Sequence, residues 1–350
     1  MVTGGTGFVG SHTLAALHAA GHKVTLLARS VERANRMLDA RAIDRGDVTI
    51  VAGDILDIEA VSDSLTGCEA VVHAAAVVGI DGAKAEQARA TNERGARNVL
   101  GAAVDLGLDP IVYISSISAL FHPGGPVLLT AHTPVAPAMG PYAASKAACE
   151  RYARELQAGG APVVCVYPGG VLGPDDPSGS EAMRGAIIWR RLTMIRLDSG
   201  YLLVDVRDIA DVITAALTAG KGPRRYLAGH HYVPWSELCD LVAEVTGREV
   251  HRLPMTGPIL RGLGRGGDVV RKVIPFTLPL SREAMEAASL MVPMDDQATI
   301  DELGIEFRSP RETLRDAYRW LYESGRIPAR LVPALAIAGN YARSGVGRAR

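Results

Sequence analysis

Short β-branched runs alternate with stretches of helical period from the first residues of this chain, and that alternation limits the fold more than any single motif. The runs Lys23–Leu27, Val48–Val51, Ala70–His73, Pro110–Ser115 and Pro162–Tyr167 are short and β-branched, as the strands of a parallel sheet covered on both faces are. Between them, Phe8–Ala20, Ala85–Leu106 and Tyr142–Leu156 carry helical periodicity. The first carries Val9, Leu14 and Leu17 and stops at Gly21, a residue suited to the left-handed position after a helix. Strand–helix alternation of this kind predicts an α/β fold, a doubly wound parallel sheet of the Rossmann type.

Beyond Pro168 the pattern loosens as prolines and glycines interrupt it. A strand near Tyr201–Val204, a helix over Asp208–Leu217, a strand at Arg225–Leu227 and a helix over Trp235–Val245 are still readable. Further helices are expected around Arg282–Ser289 and Arg311–Tyr322. The chain of 350 residues has room for one large domain and a smaller lobe. The division expected is a dinucleotide-binding domain over 1–167 and a mainly substrate-binding, interleaved lobe over 168–326. A segment of about 201–228 returns to the sheet, and residues 327–350 form a tail that is either disordered or docked.

Charge and cysteine content narrow the function. Net charge is -1, which gives no reason to expect nucleic acid as a partner. Cys68, Cys149, Cys165 and Cys239 lack metal-ligand spacing, so no metal site is expected and the thiols read as reduced. No apolar stretch reaches the roughly 20 residues of a membrane helix, so no integral membrane segment is expected. The chain enters its first motif at once, and a cytoplasmic location follows as an expectation.

That motif is Thr3-Gly4-Gly5-Thr6-Gly7-Phe8-Val9-Gly10, with Gly4, Gly7 and Gly10 between a strand and a helix. Glycines there allow a tight turn, let backbone amides approach a pyrophosphate and let helix and strand pack closely. In a chain with 38 glycines a chance match is the competing account. The second motif, Tyr142-Ala143-Ala144-Ser145-Lys146, sets a phenol and an ammonium one helical turn apart. A phenol with its ordinary pKa of about 10 is a poor acid–base group near neutrality, and a neighbouring cation favours its phenolate. Tyr and Lys at this spacing are common on amphipathic helices. What distinguishes this pair is Ser115-Ser116, ending a predicted strand 26 residues earlier, where a hydroxyl would polarise a carbonyl.

Taken together, the chain resembles the extended short-chain dehydrogenase/reductase family, also called the NAD-dependent epimerase/dehydratase family. Within it, the chain is most similar to the branch of dihydroflavonol reductases and 3β-hydroxysteroid dehydrogenases. The resemblance runs from Val2 to about Tyr322. It adds to the two motifs Gly53-Asp54, His73-Ala74-Ala75-Ala76, Tyr113-Ile114-Ser115-Ser116, Pro168-Gly169-Gly170-Val171-Leu172-Gly173-Pro174 and Val204-Asp205-Val206-Arg207-Asp208-Ile209-Ala210.

The resemblance implies a role for each matched residue. Gly4, Thr6, Gly7, Phe8 and Val9 would bind the cofactor at the glycine turn. Asp54 would accept from the adenine amino group, Ile55 would pack on the ring, and Ala74 and Ala75 would line the adenosine side. Ser116 matches the substrate-polarising hydroxyl, with Ser115 ranked second. Tyr142 matches the proton donor, and Lys146 the residue that holds the nicotinamide ribose and lowers the tyrosine pKa. Pro168 and Val171 would approach the carboxamide edge. A homodimer through Ala85–Leu106 and Tyr142–Leu156 is permitted by family habit.

In this fold an acid about 20 residues past the glycines favours NAD. Here the second strand runs instead into Arg29-Ser30, with Arg33 and Arg36 beyond. A guanidinium fork suits a phosphate. NADP(H) is therefore expected, with Arg29 as the main 2′-phosphate contact and Ser30 in support, and NAD as the alternative.

Two departures stand out. Only Met1 and Val2 precede the Thr-Gly, so the native chain is expected to start upstream and complete a longer first strand. Met194–Val204 lacks the Gly- and Gln/Arg-rich pattern of sugar-nucleotide epimerases. The loop from Ser118 to Met139 carries Phe121, Leu128, Leu129, Val135 and Met139 with little charge, and points to an apolar substrate. His122 and His132 read as ordinary loop histidines. The expected activity is hydride transfer between NADP(H) and a hydrophobic ketone, aldehyde or secondary alcohol. A sugar-nucleotide epimerase or dehydratase with bound NAD and a non-catalytic dinucleotide sensor are the alternatives.

Overall fold

The computed structural model describes residues 1–77, 82–137, 140–176, 193–196, 198–271 and 281–336. The chain forms two compact units. The first comprises Met1–Gly169, Val206–His230 and Met294–Glu306.

The doubly wound parallel sheet expected from sequence is present in this first unit. Its strands are β1 (Val2–Thr3), β2 (Val24–Ala28), β3 (Val48–Ala52), β4 (Val71–His73), β5 (Ile111–Ile114), β6 (Val163–Pro168) and β10 (Arg224–Ala228). They run in the order β10-β6-β5-β4-β1-β2-β3, all parallel. The crossovers include α1 (Phe8–Ala19), α2 (Val31–Ala40), α3 (Ile58–Leu65), α4 (Gly82–Asp105) and α5 (Pro141–Ala158). Leu26, Val71, Ile111 and Val164 of the strands and Leu14, Leu65 and Leu100 of the helices are essentially inaccessible, which places the core between sheet and helices. Strand order reverses between β1 and β4, where Thr3 is in register with His73. Ligands of open α/β sheets bind outside the carboxyl ends of the strands at such a reversal.

The second unit comprises Gly170–Asp205, His231–Pro293 and Phe307–Arg350. A three-stranded sheet of β11 (His231–Pro234), β9 (Gly200–Asp205) and β7 (Gly170–Leu172) carries helices Trp235–Thr246 and Pro310–Glu323. Leu203, Leu238, Val242, Leu314, Tyr318 and Leu321 form its core. Ile327, Val332 and Leu335 are buried in the same cluster, so this start of the expected tail is docked. Residues 337–350 lie outside the described residues. A two-stranded sheet pairs β12 (His251–Pro254) with β8 (Thr193–Arg196), and helix Gly257–Arg271 packs on Arg282–Leu290.

Candidate active site

The turn from β1 into α1 is closed by the Gly7 amide donating to Gly4 O at 2.9 Å. Gly4 sits at φ +74°, and a Cβ there would come within 2.5 Å of the Ala75 amide nitrogen. A Cβ on Gly10 would reach 2.1 Å from Gly4 O, so only glycine lets α1 close onto the turn. Gly7 is the N-cap of α1 and has no side chain to occupy the first-turn amides. A helix start left open in this way, at the reversal of strand order, is a backbone cradle for a pyrophosphate. The residues present therefore fit a dinucleotide.

Behind the turn, Thr3 ties β1 to β4. Its Oγ1 lies 2.8 Å from His73 Nδ1 and accepts from the Ala75 amide at 3.3 Å. Burial, with the Lys146 charge adding to it, holds His73 down at about 3, so its ring is neutral near neutrality. The Asp54 carboxylate accepts from the Leu56 amide at 3.0 Å, an Asx-type turn that fixes its direction. Ile55 packs against α4, where a Cβ on Gly95 would fall 2.3 Å from Ile55 Cδ1. Asn98 Nδ2 donates to the Ile55 carbonyl at 2.8 Å.

The phenol and ammonium sit on α5, which starts with Pro141 after an uncapped Gly140. Lys146 is buried, and its Nζ donates to Ile114 O at 3.0 Å, 5.7 Å from the Tyr113 ring centroid. Ile114 is the last residue of β5, and Ser115 and Ser116 follow it. That bond brings the Tyr142–Lys146 face of α5 to the strand end carrying both hydroxyls. Tyr142 is half-buried.

The two serines differ. Ser116 caps a 3-10 turn over Ile117–Ala119, its Oγ accepting from the Ser118 amide at 3.1 Å. That bond uses an oxygen lone pair and leaves the O–H to donate elsewhere. Ser115 Oγ is buried and has no hydrogen-bond partner among the described residues.

At the end of β2, Arg29 and Ser30 are exposed, and Ser30 Oγ caps α2 by accepting from the Arg33 amide at 3.2 Å. Arg33, which the sequence placed only among followers, reaches the glycine turn: its Nη2 donates to Thr6 O at 3.4 Å. Arg36 is paired instead with Glu32. Pro168 ends β6 in the first unit, whereas Val171 belongs to the second. Asn92 on α4 was not foreseen as a site residue. Buried, it holds Val77 N and O at 2.7 and 3.0 Å and donates to Ser145 Oγ at 2.9 Å. Of the loop read as apolar, Leu129 is buried, while Val127 and Leu128 are exposed, and Met139 lies outside the described residues.

An NAD dependent epimerase/dehydratase family profile matches residues 1–229, and the chain belongs to that family. It is an NAD(P)-dependent oxidoreductase of the extended short-chain dehydrogenase/reductase type. A putative dihydroflavonol 4-reductase of Synechocystis sp. is 27% identical over 93% of this chain and 95% of its own length. The sterol demethylase protein B of Methylococcus capsulatus is 27% identical over 93% of this chain and 99% of its own. Among solved structures, the Bordetella bronchiseptica enzyme WbmH in complex with NAD+ superposes with a TM-score of 0.68 at 25% identity, covering 93% of this chain and 98% of that one. No described helix is long and apolar enough to cross a membrane.

Proposed function

We propose that this enzyme transfers a hydride between NADP(H) and a hydrophobic ketone, aldehyde or secondary alcohol. The observation that carries the reading is the Lys146–Ile114 bond, which joins the Tyr/Lys face of α5 to the hydroxyl-bearing end of β5. The dinucleotide, when bound, supplies or takes up the hydride. The chain's own groups manage the proton and the orientation. Tyr142 Oη gives its proton to a carbonyl oxygen, or takes one from an alcohol. Ser116 Oγ donates a hydrogen bond to the same oxygen and polarises the carbonyl. Lys146 Nζ holds the nicotinamide ribose, one helical turn from Tyr142.

The glycine turn with Gly4, Thr6, Gly7, Phe8 and Val9 receives the pyrophosphate, and Asp54, Ile55, Ala74 and Ala75 receive the adenosine. Pro168 is assigned to the carboxamide edge. Arg29, with Ser30, binds the 2′-phosphate, and the reach of Arg33 toward Thr6 adds a second guanidinium beside the same turn. The apolar choice of substrate is supported by the exposed Val127 and Leu128 of the loop after β5. The names of the dihydroflavonol and sterol relatives are in keeping with it. A panel of apolar carbonyls and alcohols with each dinucleotide, followed at the reduced nicotinamide absorbance, tests the proposal. Turnover confined to nucleotide sugars overturns it.

A further inference from the structure

A buried polar triad joins α5 to β6. Glu150 and Tyr167 are fully buried, and Arg154, one turn beyond Glu150, is 16% exposed. Glu150 Oε1 accepts from Arg154 Nε at 2.7 Å and from Tyr167 Oη at 2.6 Å, and Arg154 Nη2 donates to the same Oη at 3.2 Å. The second carboxylate oxygen, Oε2, has no hydrogen-bond partner among the described residues. A buried ion pair is seldom worth more to stability than apolar side chains of the same volume, so the fold alone does not require this one. Its use lies in the donor that remains. Arg154 Nη1 donates to the Thr133 carbonyl at 3.0 Å, in the loop after β5. With Nε and Nη2 held by Glu150 and Tyr167, the planar guanidinium is fixed in orientation, and so is the direction in which Nη1 donates.

Other bonds fasten the same loop. Arg151, on α5, donates from Nη2 to the Ala136 carbonyl at 3.1 Å, and the Ala136 amide donates to Ala119 O at 2.7 Å. Thr133 Oγ1 accepts from the Thr130 amide at 2.8 Å and closes a local turn. Leu129 is bridged to Met294, and its carbonyl accepts from the Asp295 amide at 2.8 Å. The stretch from Leu129 to Ala136 is therefore tied at both ends, while Val127 and Leu128 just before it are 84% and 42% exposed. This loop leaves β5 beside Ser116 and leads to Tyr142 at the start of α5, the two residues assigned to the substrate oxygen. Val127 and Leu128 are the apolar side chains that the proposed function gives to the substrate. Resting on that reading, we infer that Arg154, oriented by Glu150 and Tyr167, is a positioning residue that holds the substrate loop on α5 and sets the affinity for the apolar substrate. Released from Arg154, the loop is correctly placed for only a fraction of the time. Apparent affinity then falls by that fraction, while the chemistry of the bound complex is unchanged.

The test is Arg154→Met in the full chain, assayed with NADPH and the apolar carbonyl that the wild type turns over best. KM for the carbonyl should rise at least about tenfold, the scale of a lost bond from a charged donor, with kcat within about twofold and the NADPH dissociation constant unchanged. Amide hydrogen exchange over residues 129–136 should quicken by a similar factor. Arg154→Met alone leaves the Glu150 carboxylate unpaired and endangers folding. A triple variant, Glu150→Leu with Arg154→Met and Tyr167→Phe, replaces the whole triad by apolar groups; it should keep its melting temperature and show the same rise in KM. The inference is overturned if kcat falls while KM holds, or if KM and loop exchange both stay at wild-type values. It is equally overturned if the triple variant restores both melting temperature and KM, since the triad then serves stability alone. Failure of the underlying reading is seen in the wild type itself, as turnover confined to nucleotide sugars, and overturns both. Failure of the positioning role alone is seen only in variants of a wild type that is active on apolar carbonyls.

Discussion

Lys146 Nζ donates to the Ile114 carbonyl at 3.0 Å, a bond made by a buried ammonium to the last residue of a central strand. An ammonium in that position anchors α5 on β5 and presents its charge on the helix face shared with Tyr142. Replacing it removes both effects. Lys146→Ala is expected to lose turnover and to weaken dinucleotide binding together. A variant whose turnover falls while its cofactor dissociation constant stays at the wild-type value speaks against the ribose-holding role.

Tyr142→Phe removes one hydroxyl and leaves the helix unchanged. Turnover should fall by about 10²–10⁴-fold, the range of general acid catalysis, while NADPH affinity stays near normal. Steady-state rates combined with a fluorescence titration measure both quantities. Retention of more than about a tenth of wild-type turnover excludes Tyr142 as the acid.

The neighbouring serines separate by their partners. Ser116→Ala deletes the cap on Ile117–Ala119 and should cost about 1 kcal/mol of stability along with a large loss of turnover. Ser115→Ala deletes a buried hydroxyl that has no partner among the described residues, so stability should hold or rise, and turnover should be kept. Chemical denaturation and kinetics of the two variants decide. If Ser115→Ala is the one that abolishes turnover, the roles are reversed.

The strands of the first unit were legible because their β-branched residues are mostly buried, although the edge strand β3 is fully buried only at Val48. β2 and β3, for example, lie within a residue of their expected bounds. α2 buries only Ala34 and Leu38 of its ten residues, too few apolar positions to fix its bounds from sequence. Helix Gly257–Arg271 was hidden by five glycines, which read locally as breaks; packing of Leu260 and Gly264 against Met285 accompanies the helix there. At the site, the four-residue spacing of Tyr142 and Lys146 is a local signal and was readable. Contacts such as Asn92 with Ser145, 53 residues apart, and Arg33 with Thr6, 27 apart, depend on where elements meet in space, and no local pattern encodes them.

His73 makes acid stability predictable. Its folded pKa, about 3, lies below the ordinary 6.5, chiefly through burial and secondarily through the Lys146 charge. The unfolded chain therefore binds the extra proton first. The stabilisation is complete above about pH 6.5 and is lost as pH falls toward 3, at about 1.4 kcal/mol per pH unit within that window. Denaturation midpoints of the wild type and His73→Gln between pH 7 and pH 4 test this. The variant should be weaker at pH 7 and should show a shallower acid limb. Parallel limbs would mean that His73 is not the group responsible.

The choice of dinucleotide rests on the space between β2 and the glycine turn. Ser30 spends its oxygen on the Arg33 amide, which sets the start of α2. From there the Arg33 side chain reaches back to the Thr6 carbonyl at 3.4 Å, so a guanidinium stands at the glycine turn proposed to receive the cofactor. Arg29 is exposed at the strand end, and Arg36 is occupied by Glu32. A 2′-phosphate placed here would meet two forks of donors and no carboxylate at the strand end, whereas the ribose hydroxyls of NAD would meet no acidic acceptor there. Arg29→Ala and Arg33→Ala should each weaken NADPH binding by roughly 1.5–3 kcal/mol, the scale of hydrogen bonds to a charged group, and leave NADH nearly unchanged. Because both would act on one phosphate, the double variant should lose less than the sum of the two. Equal dissociation constants for NADH and NADPH in the unmodified protein defeat the preference. A loss with Arg33→Ala but none with Arg29→Ala would move the main phosphate contact from the strand end to the helix.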